Sequence, residues 1–323
     1  MKYAPIRLLF LGCGAAARAH SRVLKHAAGV SLLYASRDER RAREMAAEFD
    51  GVSAFGSYDE ALARDVDAVV VTTPTSSHAE LTHAALRAGR HVIVEKPAFM
   101  HASDAAEIGQ VAADAGLRVF VAENYAYKPI TRYLRNLVQR EALGDIRFVT
   151  INATKYQRAE GWRADPAMAG GGPLFEGGVH WMSFAASLGL EVQSIRGYNA
   201  GENGSTLVVL EYENGAVGTI AHSWELAAPL GGLRLSKIQG TRGAVTFESN
   251  GFAAVTTGQA RSVRLFGLRD PVGARAMWGD FLSCLRTRRQ PRFTLAMAER
   301  DLRLLEEAGA ASGEPMATPA FSR

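Results

Sequence analysis

Three short stretches of this sequence carry side chains suited to chemistry on a small molecule. Val94-Glu95-Lys96-Pro97 ends an apolar run with two opposite charges and a proline that stops simple strand continuation. A lysine there is ordinarily solvated, but at a ligand-facing sheet edge it polarises a substrate oxygen and steadies the alkoxide that develops as hydride moves. Glu176 and His180 follow Gly170-Gly171-Gly172-Pro173 and stand four apart, which puts both on one face of a helix. The imidazole titrates near neutrality and can take a hydroxyl proton, while the carboxylate can orient it. A structural histidine capped by a glutamate accounts for that pair alone equally well. Lys96, His180 and Glu176 are the expected catalytic groups, and two ligand-type side chains without a third nearby argue against a metal.

The third stretch, Gly12-Cys13-Gly14-Ala15-Ala16-Ala17, fits G-x-G-x-x-A directly after the apolar run from Ile6 and before a helical segment, the context a dinucleotide-binding loop requires. Gly12 permits the tight turn and Gly14 lets backbone approach a pyrophosphate. Ala15 and Ala16 open the helix whose N-terminus attracts the anion, and Ala17 allows close packing. A glycine-rich turn without a ligand is the plainer reading of the loop taken alone. About twenty residues on, where an NAD-preferring site carries an acidic residue, the next run ends in Ala35-Ser36-Arg37, with Arg40 and Arg41 one turn later. A guanidinium fork and a hydroxyl suit a 2′-phosphate, so Ser36, Arg37 and Arg41 favour NADP. NAD is the alternative, served by Asp38 or Glu39. Thr72, Thr73 and Pro74 at another run's end, His78 beyond them, and Glu95 with Lys96 complete the expected cofactor edge.

These groups need a scaffold that brings strand ends together. Between Ile6 and Ala122, apolar runs at 31–35, 68–71, 91–94 and 118–121 each follow an amphipathic segment, a βαβ rhythm that implies a mostly parallel sheet covered on both faces. Asp38 is expected to cap one helix, Ser103 or Asp104 to open another, and Gly89 and Gly116 to end two. Beyond residue 123 the texture changes. Helices are predicted over 128–143, 173–188, 273–288 and 295–308, and strands over 146–154, 207–213 and 217–223. Asn214-Gly215 predicts a two-residue hairpin turn. The expectation is a parallel α/β domain over 1–122 and an α+β domain over 123–323, whose last helix can pack back on the first.

Bulk properties limit the function classes. At 323 residues, 47% hydrophobic and 22% charged, the chain reads as two ordinary globular domains. A net charge of +4 is too small an excess to indicate nucleic acid. Cys13 and Cys284 cannot build a disulfide framework, so a reducing cytoplasm is expected. No apolar stretch approaches the ~18–20 residues that span a bilayer, and the glycines at 12 and 14 speak against a secretory signal in the apolar N-terminal run.

Taken together the chain resembles the Gfo/Idh/MocA oxidoreductases over most of its length. The marks are Gly12-x-Gly14-x-x-Ala17, Thr73-Pro74 with His78, Glu95-Lys96-Pro97, Gly144-Asp145-Ile146, and Gly170-Gly171-Gly172 leading to His180. The resemblance implies an N-terminal Rossmann domain and an α+β domain with a large open, mostly antiparallel sheet that mediates homo-oligomer contacts. By it, Lys96 and His180 match the family's catalytic lysine and histidine. Glu176 departs from the aspartate usual at its position, Ser183 from a further aspartate, and residues 123–129 from the commoner asparagine-arginine version. Tyr125, Tyr156 and Trp162, with Tyr127 and Lys155, are candidates for a substrate pocket, since aromatic faces with polar ends suit sugar-like ligands; each serves equally as packing. The implied function is NAD(P)-dependent hydride transfer to or from a secondary alcohol or ketone of a sugar, cyclitol or polyol, with no nucleic-acid or membrane partner. The alternatives are an NAD(P)-binding sensor without catalysis, and a reductase of a dihydrodiol, imine or tetrapyrrole.

Overall fold

The computed structural model of the protein describes residues 4–200, 204–227, 232–267 and 269–312. The chain divides into two compact units, one of residues up to Glu123 with Ala274–Glu299, the other of Asn124–Gly273 with residues from Arg300. In the first, β1 (Ile6–Leu11), β2 (Val30–Ala35), β3 (Ser53–Phe55), β4 (Ala68–Val71), β5 (His91–Val94) and β6 (Val119–Val121) form an all-parallel sheet in the order 3-2-1-4-5-6. Leu8, Leu9, Phe10 and Leu11 of β1 are wholly buried. Each stabilises the unit by about 1.5–3 kcal/mol. The crossovers are α1 (Ala15–Leu24), α2 (Glu39–Glu48), α3 (Tyr58–Leu62), α4 (His78–Arg87) and α5 (Ala102–Asp114). Sheet order reverses between β1 and β4, the switch point where doubly wound sheets open a ligand crevice at the strands' carboxyl ends.

Most local signals act as expected. The Asp38 side chain accepts from the Arg40 amide and caps α2, and Gly89 and Gly116 follow α4 and α5 in the left-handed conformation. Asp104 does not open α5. That helix begins at Ala102, and Asp104 reaches back to accept the His101 amide at 3.2 Å.

The second unit holds α6 (Pro129–Gln139), α7 (Pro166–Ala169) and α8 (Val179–Ala186) with an eight-stranded sheet. Its strands are β7 (Ile146–Thr154), β8 (Val192–Asn199), β9 (Thr206–Tyr212), β10 (Val217–Ser223), β11 (Leu235–Gly240), β12 (Gly243–Glu248), β13 (Ala253–Gly258) and β14 (Ser262–Leu265). The order is 14-13-12-11-7-10-9-8, antiparallel except for the β7–β10 pair. Val149, Ile151, Leu210, Ile220, Ile238 and Phe247 are buried with Phe184 of α8, while Phe148, Leu235, Val255 and Val263 are exposed. The β9–β10 connection is longer than the two-residue turn predicted. Tyr212 pairs with Ala216, Gly215 alone has positive φ (+80°), and a two-residue type I′ turn would need Asn214 there as well.

After the second unit the chain returns through α9 (Ala274–Thr287) into α10 (Leu295–Ser312). The returning part of the first unit is α9 and the opening of α10, because Met277, Trp278 and Phe281 bury their side chains completely or nearly so, Phe281 lies 5.2 Å from Phe120, and α9 packs on α1. No helix among the described residues is long and apolar enough to cross a membrane.

Candidate active site

At the end of β1, Gly12 turns with φ +98°, and a Cβ there would stand 3.0 Å from the Thr72 carbonyl carbon and oxygen. Only glycine lets the loop lie so close to the end of β4. Gly14 differs: it precedes α1 as the N-cap, no side chain caps that helix end, and a Cβ built on Gly14 meets nothing within 4 Å. Exposed backbone, an uncapped N-terminus with no acidic residue in its first turn, and exposed Ala15 together fit a pyrophosphate. Ala17 is fully buried, as close packing of α1 requires. Burial pushes the Cys13 thiol up to about 12, which leaves it without thiolate chemistry at neutral pH.

At the end of β2, Ser36 is buried and its hydroxyl accepts the Asp38 amide, while Arg37 is exposed. Asp38 also draws Arg40 and Arg41, at 3.7 and 3.5 Å. Of the three residues expected at a 2′-phosphate, Arg41 therefore shares its charge with a carboxylate. At the end of β4 the threonines are more committed than the sequence suggested. The Thr72 hydroxyl donates to the carbonyls of Gly12 and Leu11, at 2.9 and 3.1 Å, and Thr73 Oγ1 accepts from Ser77 at 2.7 Å. They brace the loop. His78 is likewise a brace: it is 1% exposed, with Nε2 2.9 Å from the Thr73 carbonyl and Nδ1 3.0 and 3.1 Å from those of Pro97 and Ala98. Burial lowers its pKa. It thereby ties the turn carrying Pro74 to the turn carrying Lys96.

Lys96 is half-buried and precedes a cis peptide to Pro97. Beside it Glu95 accepts the Lys96 amide at 2.9 Å and lies 2.5 Å from His20 Nε2, and His20 Nδ1 faces Trp278 Nε1 at 3.0 Å. Burial pushes the Glu95 carboxyl up, but the hydrogen bond from His20 and the Lys96 ammonium and amide outweigh it and bring it down to about 2. Neither His20 nor Trp278 stands out in the sequence as a site residue. A signal existed in Ala17, His20, Ser21 and Leu24, the buried stripe of α1, where a histidine is the odd member.

In the second unit the helix predicted over 173–188 is not uniform. Residues Leu174–Gly178 form one wide π-helical turn before α8. Glu176 sits in that turn, 5% exposed, and accepts from Arg163 Nε at 2.8 Å. Such turns recur where a side chain must be re-aimed. Gly177 is needed there, since a Cβ would lie 2.8 Å from the Trp224 indole. His180 stacks on Tyr125 at 4.2 Å and 9°, and the Lys128 ammonium lies 3.4 Å from the same tyrosine ring. Tyr125 thus holds His180, and its ring is no bare pocket wall. Trp162 lies under the Arg163 guanidinium at 4.6 Å, and Tyr156 is 62% exposed beside Arg158. His222 is 2% exposed. Burial first, then the charges of Lys155 and Arg234, lower its pKa to about 4 against the pull of Glu176. His222 Nδ1 and Trp224 Nε1 find no hydrogen-bond partner among the described residues. Among those residues no three His, Cys, Asp or Glu side chains gather as metal ligands.

Residues 6–123 match a family profile described as "Oxidoreductase family, NAD-binding Rossmann fold", and residues 131–246 match the "GFO/IDH/MocA C-terminal domain". The chain is 39% identical over 160 residues to a dTDP-3,4-didehydro-2,6-dideoxy-alpha-D-glucose 3-reductase of Streptomyces violaceoruber, covering 48% of this chain and 45% of that one. It is 35% identical over 201 residues to D-xylose 1-dehydrogenase (NADP(+)) 2 of Haloferax volcanii, covering 59% and 61%. The chain thus spans about half the length of the curated relatives it matches. The WlbA dehydrogenase from Bordetella pertussis, solved in complex with NADH and UDP-GlcNAcA, has the same fold. Its TM-score is 0.83 at 20% identity, over 99% of this chain and 100% of that one.

Proposed function

Because the chain belongs to the Gfo/Idh/MocA oxidoreductase family, we propose that it interconverts a secondary alcohol and a ketone on a sugar, cyclitol or related polyol with NADP or NAD. The observation that carries this reading is the carboxyl edge of the parallel sheet. There the open Gly14 backbone and the half-buried Lys96 stand at the ends of strands separated only by β4. Gly12, Gly14, Ala15 and Ala16 would hold the pyrophosphate of the dinucleotide, and Arg37 a 2′-phosphate. When bound, the dinucleotide supplies the hydride acceptor or donor.

The chain's own groups do the rest. Lys96 Nζ polarises the substrate oxygen and steadies it as an alkoxide. His180 takes the hydroxyl proton on its imidazole, or returns it in the reverse direction, and Tyr125 keeps the ring in one orientation by stacking. Glu176, held by Arg163, binds a neighbouring hydroxyl. His222 Nδ1 and the donor Trp224 Nε1 suit a hydroxylated ligand, because a buried polar atom left unmatched costs about 1–3 kcal/mol. The sugar-derivative names of the two curated relatives support the same substrate class. A second copy of the chain is the partner we propose for the outer sheet face carrying Phe148, Leu235, Val255 and Val263, and the free thiols Cys13 and Cys284 accord with work in a reducing cytoplasm.

The test is a panel of polyols, sugars, nucleotide sugars and trans-dihydrodiols, read by the absorbance of the reduced nicotinamide with each coenzyme. Turnover of a hydroxylated sugar derivative, with NADP bound more tightly than NAD, is expected. Turnover of the dihydrodiols alone would transfer the chain to the non-sugar reading. Tight coenzyme binding without turnover of anything offered would favour a sensor.

A further inference from the structure

We propose that His20 and Trp278 are positioning residues for Lys96, acting through Glu95; the inference rests on the reading of Lys96 as the group that polarises the substrate. The contacts run without a break inside the first unit. Trp278 Nε1 lies 3.0 Å from His20 Nδ1, and an indole N–H can only donate, so Nδ1 accepts and Nε2 carries the proton given to Glu95 Oε1 at 2.5 Å. Glu95 Oε2 accepts the Lys96 amide at 2.9 Å. The carboxylate is thus held on both oxygens, and the peptide at the root of the Lys96 side chain is fixed by it.

Burial sharpens the point. Trp278 is 1% exposed and His20 7%, and their rings meet edge to face at 5.4 Å. Two apolar side chains would fill the same space with less desolvation. The titratable groups facing Glu95 are His20 of α1, His78 of α4 and Lys96 of its own turn; Trp278 of α9 reaches it only through His20. His78 grips the same turn from the other flank, at Pro97 and Ala98. The part of the chain that returns at Ala274 therefore contributes to the edge where Lys96 stands.

The experiment uses the full chain with His20→Leu, His20→Gln, Trp278→Phe and the double variant His20→Gln/Trp278→Phe. Four quantities are read: kcat, its pH profile, coenzyme Kd, and the rate of reductive methylation at Lys96 by mass spectrometry. His20→Leu should lower kcat at least about tenfold with coenzyme Kd within about twofold. Its acid limb should move up, because burial of Glu95 is then opposed by Lys96 alone. Methylation at Lys96 should change in rate while the other lysines stay as they were. Gln places an amide nitrogen near the position of Nε2, so His20→Gln should restore much of kcat, and adding Trp278→Phe to it should cost little more. Should His20→Leu fail to fold, Trp278→Phe alone must shift the Lys96 labelling rate and lower kcat. Folded variants with wild-type kcat, pH profile and Lys96 labelling would overturn the proposal. A wild-type protein that turns over nothing defeats the functional reading instead, and Lys96 labelling still decides this inference.

Discussion

Gly12 and Gly14 are two residues apart yet fail differently when given a side chain. Gly12 has positive φ and a Cβ would press on Thr72, so Gly12→Ala should lower stability by about 1–3 kcal/mol as well as coenzyme binding. Gly14 has φ −91° and ψ −164°, which alanine adopts freely, and open space beside it. Gly14→Ala should leave the thermal midpoint unchanged and weaken coenzyme about tenfold or more, read by fluorescence titration. Wild-type affinity in Gly14→Ala would mean that the pyrophosphate lies elsewhere. Both glycines were legible in the sequence, because a turn and a helix start are local properties. The threonine hydroxyls were not. Thr72 looked free at a strand end, but its acceptors Leu11 and Gly12 lie some sixty residues away in sequence. His20 and Trp278, 258 residues apart, escaped for the same reason.

At the scale of elements, a regular helix over 173–188 was expected, and a π-helical turn followed by a shorter helix was found. The four-residue spacing of Glu176 and His180 could not reveal this, because the turn fits around Trp224 at the end of a strand some fifty residues later. Arg163 was also invisible, since it lies in a short 3-10 turn, Gly161–Ala164, with no periodic pattern. It donates from Nε to the buried Glu176 carboxylate. Arg163→Met should remove that ion pair, loosen the carboxylate's orientation and lower kcat/KM about tenfold, with coenzyme affinity unchanged. Steady-state kinetics at saturating coenzyme checks it, and an unchanged kcat/KM would remove Glu176 from the substrate's surroundings. Strands β1, β2, β4–β7, β9 and β10 were plain from their apolar or alternating runs, whereas the three-residue β3 and the strands β8 and β11–β14, whose apolar positions are sparse and broken by polar residues and glycine, were not read from the sequence. The β9–β10 connection also differs from expectation, because Asn-Gly serves a longer turn in which glycine alone is left-handed.

For the whole molecule, stability should fall on the acid side in two steps. His222 is held to about 4 against an ordinary 6.5, and burial lowers His78 too, so the unfolded chain binds more protons below 6.5 and stability is lost as pH falls through that window, His222 contributing its share down to about 4. Glu95, at about 2 against 4.5, contributes stability that is complete above 4.5 and lost from there down to about 2. The urea midpoint should therefore drop between neutrality and about pH 4, and His222→Gln should flatten that part of the curve while leaving the lower step. An equal slope in the variant would refute the assignment to His222. The role of Lys96 in the chemistry is open to a single comparison. Wild type and Lys96→Ala are mixed with saturating coenzyme and the best substrate of the panel, and the reduced-nicotinamide absorbance is followed through a single turnover. Lys96→Ala should lose about a hundredfold or more in the rate, with coenzyme Kd within about twofold. A Lys96→Ala protein that turns over as fast as wild type, or one that loses its coenzyme in proportion to its rate, would contradict it.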